Sequence, residues 1–225
     1  MEEIIENNLE QTDEEFSYSF VFPAPFVWWK KLKDHETIKE KYLPLIEEDY
    51  NLNKDFYNSK NSWNCDVTTS FFEELKICPL FDDNFCNDVI WNPIDEMLAD
   101  MTDRLDGIRM PIESKVKQLW YNRYQPGNWQ EIHNHQVHFS MVSFSGIYLL
   151  DLNEENTTTF YTTQANYSCY SPDYNPLCVF KTNHIPEGSI IIFPSELSHY
   201  VNPCVNSRTT ISFNIVSNYG DLPSS

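Results

Sequence analysis

A chain of 225 residues with 41% hydrophobic and 15% aromatic residues has ample core material, which excludes a disordered segment and fits one large domain, or one domain with an extension. Its formal charge of −19, from 34 acidic against 15 basic residues, argues against a nucleic-acid partner, because phosphate backbones need a basic face. The same acidity serves solubility, or draws a cationic substrate or partner through the summed field.

Residues 1–15 carry seven acids and no base, which predicts a frayed, solvated terminus. No apolar run there suits a signal peptide or a membrane span, so no membrane partner is expected. The six cysteines, Cys65, Cys78, Cys86, Cys169, Cys178 and Cys204, form no CxxC pair and read as reduced thiols in a cytoplasmic setting. Residues 16–114 read as a mainly helical supporting region. Within it, SYSFVFPAPFVWW alternates as a strand ending at Pro23, and Asp34 to Glu48 has helical spacing at Ile38, Tyr42, Leu43 and Ile46. An Asn- and aromatic-rich segment runs through Trp63 and Phe71. From Phe81 to Leu105, Val89, Ile90, Ile94, Met97, Leu98 and Met101 outline one or two helices, with Pro93 in the first turn of the second.

After Lys115 the pattern changes. KQLWYNRYQPG, FSMVSFSGIYLLDL, TTTFYTT, LCVFKT, GSIIIFP and RTTISFNIV are short β-rich runs separated by turns such as Pro126-Gly127 and Pro186-Glu187-Gly188. Strands at this spacing, without helices between them, predict a sandwich or barrel of the jelly-roll kind over residues 115–217, followed by a tail at 218–225. The fold class is mainly β with an α-helical N-terminal part.

Three of the six histidines fall within six residues, His133, His135 and His138 in EIHNHQVHF, and His199 follows in FPSELSHYV. Residues two apart on a strand point the same way, so His133 and His135 converge, with His199 as a third ligand from a distant strand. The other arrangement pairs His135 with His138 and sets His133 behind them. A catalytic iron needs about three protein ligands on one face, with open positions left for other ligands. Nine residues after His199 comes Arg208, with turn residues Asn202-Pro203 and Asn206-Ser207 between them. Its planar fork is suited to a carboxylate, or to a surface salt bridge. Thr210 shares its strand parity, while Ile211, Phe213 and Ile215 fall on the opposite face.

WYNRYQPGNWQEIHNH, FSGIYLL, GSIIIFPSELSHYV and RTTISFN occur in the order of motifs of the 2-oxoglutarate/Fe(II) oxygenases common in marine phage and bacterial genomes. The chain resembles that family, part of the superfamily that includes the prolyl hydroxylases, over about residues 115–217. The resemblance implies a double-stranded β-helix, a cupin-like jelly roll, with His133 and His199 as iron ligands and Arg208 as receptor for 2-oxoglutarate, Thr210 taking the usual Ser position. His135 stands where the superfamily has a carboxylate and completes the site as a third, neutral ligand, which leaves Zn(II) as another possible metal. Asn122, Tyr124 and Tyr148 are the further candidates for contact with 2-oxoglutarate, with Asn214 behind them; Asn122 and Tyr124 also suit a strand face in the core. The implied reaction hydroxylates a small-molecule or peptide substrate and releases succinate and CO2. Tyr161, Tyr167, Tyr170 and Tyr174 form either an aromatic substrate groove or ordinary surface. If a phage encodes the chain, its location is the host cytoplasm. The alternatives are a three-His cupin-type dioxygenase without 2-oxoglutarate, and a non-catalytic jelly-roll binding or phage accessory protein. Oligomeric state is not legible in the sequence.

Overall fold

The computed structural model describes residues 17–20, 26–63, 65–72, 76–104, 111, 113–135, 143–153, 158–162 and 178–218. The longest alternating runs form the longest strands: β4 (Glu113–Tyr124) and β11 (Arg208–Asn218) pair antiparallel from Arg208–Tyr124 to Asn218–Glu113. They lie within a seven-stranded sheet with β1 (Ser17–Phe20), β2 (Val27–Lys31), β3 (Thr68–Thr69), β6 (Phe144–Leu152) and β9 (Ser189–Pro194). Its order is β1-β2-β9-β6-β11-β4-β3. A second sheet, in the order β5-β10-β7-β8, contains β5 (Gln130–His133), β7 (Thr158–Thr162), β8 (Cys178–Lys181) and β10 (Ser198–Val201). Two antiparallel sheets of short strands give the expected jelly roll. The N-terminal half contributes β1, β2 and β3 to the large sheet in addition to its helices.

The helices cover one face of the large sheet. Helix α1 (His35–Lys60) buries Ile38, Tyr42 and Ile46, spaced at one turn, as the periodicity predicts. It runs past Glu48 to Lys60, where Tyr57 is buried on the same face three turns after Ile46. The Tyr57 hydroxyl donates to Asp49 Oδ2 at 2.7 Å, and Tyr121 of β4 donates to the same oxygen at 2.6 Å. Helix α2 (Asp83–Phe85), a π-helical turn (Cys86–Trp91) and α3 (Asn92–Arg104) follow one another without a break. Asp82 caps this run by accepting from the Phe85 amide, and Pro93 lies in the first turn of α3. Val89, Ile90, Ile94, Met97 and Leu98 pack with Tyr121, Tyr148, Ile211, Phe213 and Ile215 in the main core. Gly146 is required on this face: a Cβ there would overlap the Phe213 ring. A smaller core between the two sheets contains Ile147, Leu149, Phe160, Ile191 and Phe193. No helix among the described residues is long and apolar enough to cross a membrane.

Candidate active site

The faces of β4 and β11 turned away from the helices form one wall of a cavity of about 470 Å³. Strand alternation puts Gln118, Trp120, Asn122 and Tyr124 on that wall from β4, and Arg208, Thr210, Ser212 and Asn214 from β11. The antiparallel register sets them opposite one another as Arg208–Tyr124, Thr210–Asn122, Ser212–Trp120 and Asn214–Gln118. Across the cavity, β5 pairs with β10 so that His133 faces His199 directly. The next pairing, Val201 with Gln130, shows that β5 carries one extra residue there. Such a bulge re-aims side chains. It turns both Gln130 and His133 toward the cavity despite their opposite parity, and brings Glu131 to its edge.

His133, His135 and His199 each bring a ring nitrogen within 4.8 Å of the other two. Each has its Nδ1 at a carbonyl oxygen: His133 at Glu131 O (2.8 Å), His199 at Leu197 O (3.1 Å) and His135 at Asn214 Oδ1 (2.6 Å). Carbonyls only accept, so Nδ1 carries the proton in each ring and Nε2 keeps its lone pair. Burial pushes all three imidazoles below the ordinary histidine range, His135 to about 3, and the neighbouring rings push His135 and His199 further down. Neutral rings with outward lone pairs are what a metal ion takes from histidine. The donor set fits a divalent first-row ion such as Fe(II).

At the other end of the wall, Arg208 is buried at 1% exposure. Its guanidinium lies 4.6 Å from the centre of the Tyr124 ring, and its Nη2 donates to Thr158 Oγ1 at 3.4 Å. The Tyr124 hydroxyl donates to Gln130 Oε1 at 2.9 Å, which fixes the ring under the guanidinium. Thr210 stands one pair further along, toward the histidines. A buried positive charge at the end of a cavity favours an anion there, and the fork geometry favours a carboxylate. Between the two ends, Trp120 Nε1 and Asn122 Oδ1 are buried without a hydrogen-bond partner among the described residues. Buried polar atoms of this kind face a ligand or water.

Of the predicted residues, His133, His135, His199, Arg208, Thr210, Tyr124 and Asn122 all line this one cavity. Tyr148 does not, and its expected role is corrected. It belongs to the main core on the helical side, where its hydroxyl lies 2.8 Å from His35 Nδ1. Ile147, its neighbour, takes the cavity position. His138, Tyr167, Tyr170 and Tyr174 lie outside the described residues, and Tyr161 is half-buried on β7. Sequence reasoning missed the aromatic side of the cavity. Trp63 stacks on His133 at 6.4 Å between ring centres, and Phe71 touches both Trp63 and Trp120 at 5.0 Å. It also left Asn214 as a weak candidate for the co-substrate, whereas Asn214 contacts His135.

Residues 118–214 match the family model described as "Putative 2OG-Fe(II) oxygenase". No curated protein matches the sequence. Among solved structures, the fold is similar to a Pseudomonas putida prolyl-4-hydroxylase, with a TM-score of 0.51 and 10% identity over 84% of this chain and 91% of that one. A viral collagen prolyl hydroxylase from Paramecium Bursaria Chlorella virus-1, solved with 2OG, matches at a TM-score of 0.45 and 12% identity, over 83% and 94% of the two chains. A Trichoplax adhaerens prolyl hydroxylase, in complex with a hypoxia inducible factor peptide fragment, matches at 0.41 and 14%, over 81% and 90%. The likeness to the Pseudomonas putida enzyme is one of fold.

Proposed function

We propose that this chain, which through residues 118–214 matches the 2-oxoglutarate/Fe(II) oxygenase model, is such an oxygenase and uses His133, His135 and His199 to hold the iron and Arg208 to hold 2-oxoglutarate. One observation carries the assignment: three neutral imidazoles and a buried guanidinium line the same cavity, the imidazoles with their Nδ1 atoms already committed to carbonyls. When bound, the iron supplies the oxidising chemistry, in which substrate R–H, 2-oxoglutarate and O2 become R–OH, succinate and CO2.

The chain's residues determine where each reactant lies. Arg208 receives the distal carboxylate of 2-oxoglutarate in a charge-assisted pair, with the Thr210 hydroxyl beside it. Tyr124 holds the guanidinium in place from below, and Gln130 holds Tyr124. Trp120 and Asn122 offer one donor and one acceptor to what lies between Arg208 and the histidines. The Trp63, Phe71 and Trp120 rings form the side along which an organic substrate, a small molecule or a peptide side chain, meets the centre. Their apolar faces limit the water that reaches it.

The test is titration of 2-oxoglutarate into the Mn(II)-loaded chain under argon, followed by succinate detection with Fe(II) and O2. Arg208→Ala is expected to weaken 2-oxoglutarate binding by about thirtyfold or more, since truncating one side of a buried charge pair costs about 2–5 kcal/mol. Equal binding and equal succinate from Arg208→Ala would sink the assignment. That outcome would move the receptor role to another residue, whereas no 2-oxoglutarate binding and no succinate from the wild type would favour a three-histidine oxygenase that needs no 2-oxoglutarate.

A further inference from the structure

The three candidate ligands are not held alike. His133 and His199 are each fixed by the carbonyl two residues earlier in their own segment, Glu131 O and Leu197 O. Any side chains on that backbone would supply those acceptors. His135 lies just past the end of β5, and its Nδ1 is met instead by a side chain from β11, Asn214 Oδ1, at 2.6 Å.

That carboxamide is itself locked. Ser145 Oγ donates to Asn214 Oδ1 at 2.7 Å, and Asn214 Nδ2 donates to Gln118 Oε1 at 2.8 Å. Ser145 Oγ lies 2.8 Å from Ser195 Oγ, and the His135 amide donates to Ser195 O at 2.8 Å. Ser145 has one hydroxyl proton, so with that proton on Asn214, Ser195 donates to Ser145. Asn214, Ser145 and Ser195 are all buried, so none of these bonds competes freely with bulk water. With Ser145 donating to Oδ1 and Gln118 accepting from Nδ2, the amide points its oxygen at His135. Only that orientation presents an oxygen to His135 and forces its proton onto Nδ1.

We propose that Asn214 is the positioning residue that makes His135 a metal ligand, an inference that rests on the three-histidine reading above. An amide oxygen orients the ring without adding charge. An aspartate at the same place would draw the Nδ1 proton and pass negative charge through the ring to the metal. Asn214 therefore keeps the third ligand both aimed and neutral, so the ion retains its full double positive charge toward the dianionic co-substrate.

The experiment measures Co(II) affinity by chelator competition, with the d–d absorption spectrum as a geometry readout, and then 2-oxoglutarate affinity of the loaded protein. Asn214→Ala is expected to lose about 10- to 100-fold in Co(II) affinity and to change the spectrum, as loss of a group behind a ligand does. Asn214→Asp keeps the shape, and Gln118 can turn its amide to donate to it. This variant is expected to match or exceed wild-type Co(II) affinity while binding 2-oxoglutarate about tenfold more weakly. A merely structural role for Asn214 would not move the two affinities in opposite directions, and the aspartate variant serves if the alanine one does not fold. Co(II) and 2-oxoglutarate affinities within threefold of wild type in the folded variants would overturn the proposal and leave the three-histidine site standing. No Co(II) uptake by the wild type, or equal uptake by His199→Ala, would overturn the three-histidine reading and the proposal with it.

Discussion

Tyr148 and Ile147 are adjacent on β6, yet one contacts His35 under helix α1 and the other lines the cavity. Alternation along a strand tells which residues share a face but not which face turns inward. On β11 the chemistry resolves this, because Arg208 and Thr210 alternate with Ile211, Phe213 and Ile215, and only one of those sets suits a helical core. On β6 both faces are buried from Phe144 to Asp151, so the sequence holds no polar–apolar contrast to set the phase. That is why the meeting of His133, His135, His199, Arg208 and Thr210 at one cavity was legible and the place of Tyr148 was not. Tyr148→Phe is accordingly expected to leave 2-oxoglutarate affinity unchanged. It should lower stability in urea by about 1 kcal/mol, the usual net value of one intramolecular hydrogen bond.

Among the elements, β11 carries the most. One of its faces packs under the helices and the other supplies Arg208, Thr210, Ser212 and Asn214 to the cavity. Errors in its neighbours therefore reach the site. Gly146 of β6 lies opposite Phe213, and there is no room between them for a methyl group. Gly146→Ala should cost about 1–3 kcal/mol in chemical denaturation, the range for overpacking a filled core. The cost should fall on folding before it falls on ligand binding, since Phe213 lies on the helical side. Two features of the elements were not readable from the chain. The β5 bulge depends on how β10 registers against β5, and the reach of α1 beyond Glu48 depends on Asp49 meeting Tyr57 and Tyr121 in space.

At the scale of the molecule, a charged cluster fastens α1 to the rear of the large sheet. Lys39 Nζ lies 2.5 Å from Glu187 Oε1 and 2.7 Å from Asp151 Oδ1. The Leu152 amide donates to Glu187 Oε2, and His35 Nε2 lies 3.2 Å from Glu187 Oε1. Burial alone would push the Glu187 carboxyl up, but Lys39, the Leu152 amide and His35 together hold it below the ordinary carboxylate range. A carboxyl with a depressed folded-state pKa contributes stability that is complete above its unfolded value of about 4.3, and that disappears as pH falls through the folded value. Glu187→Gln should therefore lower the urea midpoint at pH 7, by the equivalent of about 1–3 kcal/mol. The gap between variant and wild type should narrow as the pH drops below about 4.3. A gap that is constant with pH would mean that the carboxylate charge does not contribute. The overall fold was legible from the spacing of turns and strands, whereas this fastening, built from residues far apart in the chain, was not.

The direct pairing of His133 with His199 has a further consequence. Strand β5 is four residues long and, among the described residues, ends its sheet with β10 as its strand neighbour. An ion clasped by His133, His135 and His199, as proposed, would tie that margin to the interior, much as a rivet holds the last plank of a hull. Chelation would then do more than silence chemistry. It would loosen a sheet margin, and backbone freed there could pair with another chain, so self-association would follow loss of the metal.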